Sequence, residues 1–225
     1  MPIISIIIIL GFTSFLAFMI SGMVIYEGGN FIENDYPKYN FTRNYISDIG
    51  RDFTYTGELN TIPQLMFQLA MMAATVSIVS IYAFFIHLLR KFEEKNKLGI
   101  TGSIFGFFST IFCTSIAFVP YDTMVELHRL CVYFFGGLVL TANILHIITF
   151  FKIEDFPNKY RAIFIVCSTL LLVYIIIYSA LGPDAPDLQE IVKIVAQKIV
   201  IGATFINLGV QAYGLNRGLN KYNRN

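Results

Sequence analysis

The sequence predicts an all-α membrane protein in which six transmembrane helices form one antiparallel bundle. Of its 225 residues, 56% are hydrophobic and only 14% are charged, and the mean hydropathy of +0.64 is too high for a soluble domain. Six separate stretches each supply the roughly 20 apolar residues that a helix needs to cross a hydrocarbon core of about 30 Å. Only one connection is long, over residues 27–61. The chain is therefore predicted to be a single six-helix domain, residues 1–225.

The first span is predicted over about residues 3–26. No charged side chain precedes it, and it is longer than the apolar core of a signal peptide, so an uncleaved helix is favoured over a cleaved signal peptide. The other spans are predicted over about residues 63–89, 98–119, 129–150, 161–181 and 188–215. Gly102-x-x-x-Gly106 in the third span is a small-residue spacing that permits close helix contact.

The distribution of basic residues predicts the orientation, because cytoplasmic loops are enriched in Lys and Arg. One side of the bundle collects the basic residues Arg90, Lys91, Lys95, Lys97, Lys152, Lys159, Arg161, Arg217, Lys221 and Arg224. The other side collects the acids Asp48, Asp52, Glu58, Asp122, Glu126, Asp184, Asp187 and Glu190. Both termini are then cytoplasmic, residues 27–61 form an extracytoplasmic loop, and the cell membrane is the expected location.

The composition and a few short patterns bear on nucleic-acid binding, on N-glycosylation and on the role of the cysteines. A net charge of +1 and the lack of a basic patch or Gly-rich phosphate loop argue against nucleic-acid partners. Asn40-Phe41-Thr42 fits the N-glycosylation pattern, which matters only if the loop faces outward. The cysteines Cys113, Cys131 and Cys167 all fall in apolar segments without metal spacing, so we expect small buried packing residues.

Polar residues of three elements are expected to meet on the outer side of the bundle. These elements are the Ser47-Asp48 turn, the connection between the third and fourth spans with Asp122 and His128, and the start of the sixth span. Asp48, Asp122 and His128 are candidates for acid–base catalysis, and Asp48 and His128 for zinc ligation. The alternative is structural: Asp48 caps a turn with its carboxylate on backbone N–H groups, and His128 bonds an acid to hold the loop.

The sixth span carries a polar stripe on an otherwise apolar helix. Its members recur at spacings of 4, 7, 3 and 4 and are Lys193, Gln197, Thr204, Asn207 and Gln211. We expect this stripe to face the bundle interior, either as hydrogen-bonding contacts between helices or as the wall of a hydrated, outward-open cavity. Gln64 and Gln68 in the second span would supply the opposite polar face.

Lys198 places a charge about two turns below the outer end of the sixth span. A bare ammonium in hydrocarbon costs at least about 2.5 kcal/mol, so we expect Asp48 or Asp122 to pair with it. The alternative is that Lys198 extends its side chain to the lipid headgroups.

Three short segments carry a resemblance to known families. They are Asn44-Tyr45-Ile46-Ser47-Asp48-Ile49-Gly50 after the first span, Phe118-Val119-Pro120-Tyr121-Asp122 with Leu127-His128, and Gln197-Lys198 in the last span. With them the chain resembles the prokaryotic six-span family known as domain of unknown function nine-nine-eight. More distantly it is similar to DRAM/Frag/Sfk-type membrane proteins, a likeness that implies links to autophagy, to lipid remodelling of GPI anchors and to plasma-membrane lipid asymmetry.

These observations favour a lipid-binding or lipid-handling membrane protein. Its ligand-binding candidates are Ser47, Asp48, Asp122, His128, Gln197 and Lys198, its partners are membrane lipids, and no cofactor is expected, with zinc as the alternative. A metal-dependent membrane hydrolase or lipid-remodelling enzyme and a small-solute or proton-coupled transporter remain alternative functions. Whether the protein is an enzyme is left open by the sequence.

Overall fold

The computed structural model describes residues 2–90, 97–153, 156–181 and 187–222. Within them the chain forms six α-helices and one short 3₁₀ turn, in the order α1 (Pro2–Ile25), η1 (Ile46–Gly50), α2 (Thr61–Leu89), α3 (Lys97–Phe118), α4 (Val125–Lys152), α5 (Asn158–Ala180) and α6 (Asp187–Tyr222). The only strand-like feature in this part of the chain is an isolated bridge between Phe53 and Leu59.

All six α-helices are long and apolar enough to cross a membrane, so the predicted all-α, six-span fold class is confirmed. Two bounds differ from the prediction by four residues or more. Helix α4 begins at Val125, where residue 129 was predicted, because the His128 N–H already donates to the Met124 carbonyl. Helix α6 continues to Tyr222 because a helix need not end where its apolar part does.

Helices adjacent in sequence pack against each other. They are antiparallel, because each connection joins two helices at the same end of the bundle. Helix α6 closes the arrangement by packing against α2 and by contacting α1 through aromatic rings. Its Phe205 ring lies 5.2 Å from the Phe12 ring and 4.8 Å from the Phe15 ring, centroid to centroid. The six helices therefore surround a common interior instead of forming a flat row.

Small residues on α3 bring three helices together. An added Cβ at Gly102 would lie 3.0 Å from the Ala142 carbonyl oxygen and the Leu145 Cβ on α4, and one at Gly106 would overlap the Tyr82 ring on α2. The predicted packing role of this pair is therefore confirmed. Cys113 and Cys131 are buried and all three cysteines are free thiols, whereas Cys167 is only half-buried.

The bundle is filled at one end and roofed at the other. Away from the 26–60 connection, the buried His146 imidazole lies among the rings of Tyr82, Phe85, Phe150 and Phe164, and its Nε2 lies 3.0 Å from the Ser103 hydroxyl. We call this the aromatic floor. At the other end, here called the loop end, residues 26–60 fold over the helices as a roof, with η1 at its centre.

The orientation of the bundle stays a prediction. Of the residues that support it, Lys91, Lys95, Asp184 and Arg224 lie outside the described residues, as do the side chains of Arg217 and Lys221. Asp35 in the roof and Lys97 at the start of α3 are both exposed, at opposite ends of the bundle.

These two positions allow the orientation to be measured. With a cysteine placed by Asp35→Cys, a membrane-impermeant maleimide should label the protein on intact cells, because the roof is expected outside. With Lys97→Cys, labelling should require permeabilisation. The opposite pattern would reverse the assigned orientation.

The close packing at Gly106 can be tested with one methyl group. Gly106→Ala should lower the free energy of unfolding by about 1–3 kcal/mol, because the new Cβ would meet Tyr82 ring carbons at 2.1–2.3 Å and this ring is fully buried. Thermal unfolding in detergent would measure the loss. Gly137→Ala is the matched control, since a Cβ there has nothing within 4 Å; equal melting temperatures for the two variants would refute the packing role.

Candidate functional site

Asp48 organises the roof from within. Its carboxylate is fully buried: Oδ2 accepts hydrogen bonds from the Tyr45 N–H at 2.9 Å and the Asn44 amide at 3.1 Å, and Oδ1 from the Tyr55 hydroxyl at 3.2 Å. Burial raises the pKa of Asp48 from 3.8 to about 6, against the charge of Arg51 and these hydrogen bonds, which lower it. The expectation that Asp48 caps a turn is confirmed.

The segment just before η1 is attached to α6. The Lys198 ammonium donates to the Asn44 carbonyl at 2.6 Å, and the Gln197 side-chain oxygen accepts from the Ile46 N–H at 3.0 Å. No ion pair joins Lys198 to Asp48 or Asp122 among the described residues, although Lys198 and Asp48 interact electrostatically at longer range. The reason is that both carboxylates already accept hydrogen bonds from donors of the loop end.

Aromatic rings complete the surroundings of the Lys198 ammonium. Its Nζ lies 4.8 Å from the centre of the Phe41 ring and 5.6 Å from that of Tyr39. Cation–π contacts of this kind stabilise a partly desolvated ammonium. Lys198 is therefore directed into the roof.

Asp122 attaches the roof to the α3–α4 connection. Its two carboxylate oxygens accept from the backbone N–H groups of Asp52 at 3.0 Å and Phe53 at 2.8 Å. Asp52 in turn accepts from the Gln64 amide on α2 at 2.6 Å and from the Thr123 hydroxyl at 2.8 Å. These acids therefore bind segments of the protein together at the loop end.

A buried ion pair on α6 was not predicted from the sequence. Glu190 and Lys193 are both almost fully buried and pair with each other, while the Tyr45 hydroxyl donates to Glu190 at 2.5 Å. The Lys193 ammonium also lies 5.7 Å from the centre of the Tyr178 ring. The spacing of three residues between an acid and a base was a usable signal, but the contact with Tyr45, 145 residues away, was not.

The interior between roof and floor is a cavity of about 140 Å³ to which all six helices and η1 contribute. On α2 it extends from Phe67 to Ile78, on α4 from His128 to Val139 and on α6 from Gln197 to Leu208. Each range corresponds to about 16 Å of helix at 1.5 Å per residue. The cavity is therefore deep and narrow, and it lies along the bundle axis in the half next to the loop end.

The walls of this cavity are mostly apolar, which corrects the expected hydrated cavity. The polar stripe of α6 does face inward, but Gln211 bonds the Tyr160 carbonyl and Asn207, and Lys193 pairs with Glu190. Only Gln197 and Thr204 of the stripe reach the cavity. Gln64 donates a hydrogen bond to Asp52 in the roof, and neither Gln64 nor Gln68 lines the cavity.

Polar side chains concentrate where the cavity meets the roof. A small cavity of about 20 Å³ opens there, and it shares six lining residues with the large one. Its lining is Tyr45, Ser47, Tyr121, His128, Val132, Tyr174, Tyr178 and Gln197. We call this the polar pocket.

His128 lies in the polar pocket in the first turn of α4. Its Nδ1 lies 2.6 Å from the Val119 carbonyl oxygen, so Nδ1 must carry a proton, and in the neutral ring Nε2 is then an acceptor. The ring also contacts Tyr121 edge to face, with the centroids 5.6 Å apart. The expected partner, an acid, is wrong: His128 holds the loop through a backbone carbonyl.

The six candidate ligand-binding residues divide into two groups. Ser47, His128 and Gln197 meet around the polar pocket, whereas Asp48, Asp122 and Lys198 line neither cavity and hold the roof. Within the described ranges, no group of three or more His, Cys, Asp or Glu side chains is arranged to hold a metal ion. The proposed zinc candidates Asp48 and His128 are thus not part of such a group.

Comparison with known proteins gives one finding. The family model described as the Frag1/DRAM/Sfk1/Cwh43P N-terminal domain matches residues 2–186, which include the roof, Asp122 and His128 but not α6. No curated protein and no solved structure matches the chain. The expected similarity to DRAM/Frag/Sfk-type proteins is therefore confirmed, while the similarity to the prokaryotic six-span family stays a prediction.

The raised pKa of Asp48 predicts a pH-dependent stability. The folded state holds the Asp48 proton up to about pH 6, whereas the unfolded state releases it near pH 3.8. Ionisation of Asp48 should therefore lower the free energy of unfolding by on the order of 3 kcal/mol as the pH rises from 4 to 6. Above pH 6 the cost should stay constant. Asp48→Asn should remove this loss of stability. The melting temperature of the variant should therefore rise relative to that of the wild type between pH 4 and pH 7.

A second variant separates charge from hydrogen bonding. Asp48→Ala leaves the Tyr45 N–H and the Asn44 amide without their acceptor, and should destabilise the protein at both pH values. A stability difference between wild type and Asp48→Asn that stays constant from pH 4 to pH 7 would show that ionisation of Asp48 does not destabilise the folded state.

Proposed function

The chain belongs to the Frag1/DRAM/Sfk1/Cwh43P N-terminal domain family, and we propose that it binds a membrane lipid with one hydrocarbon chain in its central cavity. It is an integral, multi-pass membrane protein. Lipid binding is the function that its interior geometry supports best.

The observation that carries the proposal is the match between the cavity and half a bilayer. The cavity is about 16 Å deep along three helices, and one leaflet of a hydrocarbon core of about 30 Å is about 15 Å thick. The aromatic floor below and the roof above limit the cavity to that depth. A hydrocarbon chain that enters at the loop end would lie along the bundle axis between them.

The chemistry of the walls supports the same ligand. Apolar cavities of about 150 Å³ stay dry and take up hydrocarbons such as benzene, and this cavity of about 140 Å³ has walls of that kind along most of its depth. Filling it with methylene groups would supply the dispersion contacts that the lining of an empty cavity lacks. Apart from Thr204 further along α6, its polar groups concentrate at the loop end, where a lipid carries its polar part.

The predicted orientation assigns this cavity to the outer leaflet and the protein to the cell membrane. Neither a metal-dependent hydrolase nor a transporter gains a supporting observation among the described residues. Asp48 and Asp122, the acids on which the hydrolase reading depends, use their carboxylates to hold the roof. Lipid binding is therefore our conclusion.

Neighbouring glycines of α4 provide the test. Gly136 lines the cavity, and an added Cβ there would meet Ile175 at an ordinary 3.6 Å, whereas Gly137 is exposed and has nothing within 4 Å. In lipid nanodiscs, a lipid with a diazirine near the end of its chain should crosslink to residues at the deep end of the cavity such as Ile78 and Val139. Gly136→Leu should reduce this labelling at least about tenfold by occupying the space.

Gly137→Leu is the matched control, because it adds the same side chain to the outer surface of the same helix. It should leave cavity labelling unchanged, and labelling of the exposed Val166 on α5 should be the same in all three proteins. Absence of crosslinks to the cavity lining in the wild type, or equal labelling of the two leucine variants, would refute the proposal.

A further inference from the structure

We propose that the bound lipid is uncharged and carries a hydroxyl group, which the polar pocket holds at the loop end of the cavity. The inference rests on the proposed lipid binding and adds the chemical class of the ligand. It follows from the size of the polar pocket, from the groups that are free in it and from the pairing of the charges around it.

The size of the polar pocket selects a small polar group. Its volume of about 20 Å³ is little more than the roughly 10–15 Å³ that one water molecule needs. The roof covers it, because Tyr45 and Ser47 are part of its lining. A hydroxyl attached to a chain in the large cavity fits this volume, whereas a phosphodiester headgroup would require the roof to move.

Several hydrogen-bonding groups of the pocket have no partner in the described structure. The Ser47, Tyr174 and Tyr178 hydroxyls make no hydrogen bond there, and Gln197 uses only its side-chain oxygen. His128 uses only Nδ1, which leaves Nε2 as an acceptor. The pocket thus offers an acceptor for a ligand O–H and several donors for its oxygen, as a hydroxyl group requires.

The cations next to the pocket already have partners within the protein, a carboxylate for two of them and a backbone carbonyl for Lys198. Lys193 pairs with Glu190, the Lys198 ammonium is bonded to the Asn44 carbonyl, and Arg129 lies 3.3 Å from Glu126. Among the described residues that line the pocket, none carries a fixed positive charge. An anionic headgroup would lose its water without gaining a counter-ion, and it would approach the buried Glu190 carboxylate that Tyr45 contacts.

The test compares lipid probes that share one chain. Hexadecanol, its methyl ether and its phosphate monoester, each with a diazirine near the chain end and an alkyne for detection, are added at equal content to nanodiscs with the wild-type protein. Hexadecanol should label Ile78 and Val139 at the deep end of the cavity at least about tenfold more than the phosphate ester does, because the phosphate must be desolvated without a partner. The methyl ether, which cannot donate, should fall between them.

Two variants assign the preference to the pocket. Ser47→Ala and Tyr178→Phe each remove a hydroxyl that has no partner within the protein, so the melting temperature should not change. Both together should bring hexadecanol labelling down to the level of the methyl ether. Tyr36→Phe removes a hydroxyl from a residue that lines neither cavity, and should leave the preference unchanged.

The outcomes separate the two proposals. Equal or stronger cavity labelling by the phosphate ester would overturn the hydroxyl proposal while lipid binding stands. A preference for hexadecanol that survives the double variant would also overturn it, because the pocket would not be its source. Failure of all three probes to label the cavity would refute lipid binding, and the hydroxyl proposal with it.

Discussion

The loop end of this protein depends on one buried carboxylate. A polar loop that folds over a bundle must satisfy its backbone N–H and C=O groups away from water, and Asp48 does this at the centre of the roof by accepting hydrogen bonds from Tyr45, Asn44 and Tyr55. Full burial disfavours its charged form and raises its pKa. The backbone around the 3₁₀ turn is thereby held in one conformation, in which the Asn44 carbonyl and the Ile46 N–H can bond side chains of α6.

The attachment of that edge to α6 explains why the bundle has an interior space. Asn44 and Ile46 present a carbonyl and an N–H to Lys198 and Gln197, and Asp122 holds the other side of the roof. The helices are tied together at the loop end through the roof and at the far end through the aromatic floor. Between these two layers, side chains do not fill the bundle, and the cavity remains.

The polar stripe of α6 shows how one helix face serves several purposes. Near the loop end, Lys193 is part of a buried ion pair, and in the middle Gln197 and Thr204 reach the cavity. Further along, Gln211 bonds α5 through the Tyr160 carbonyl. Polar groups within a membrane protein that find partners in the protein add modest stability, about 0.6 kcal/mol each. Those without a partner, such as the hydroxyls of the polar pocket, are available to a ligand.

The six spans and the inward face of α6 could be predicted from the sequence, and capping by Asp48 was one of the roles that the sequence left open. Each depends on local chemistry: about 20 apolar residues suffice for a span, polar side chains avoid lipid, and an Asp in a turn reaches the backbone N–H groups beside it. These properties are carried by residues close together in the chain, so a pattern over a short window predicts them.

The hydrogen-bond partners and the apolar character of the interior became visible in the three-dimensional fold alone. Lys198 bonds a carbonyl 154 residues away in sequence instead of an acid, His128 bonds the Val119 carbonyl, and the cavity is apolar although a polar stripe borders it. A charged side chain bonds the acceptor that helix packing places within its reach, and a cavity remains where side chains do not fill the space between helices. Both are set by the distances between helices, which no short stretch of the sequence encodes.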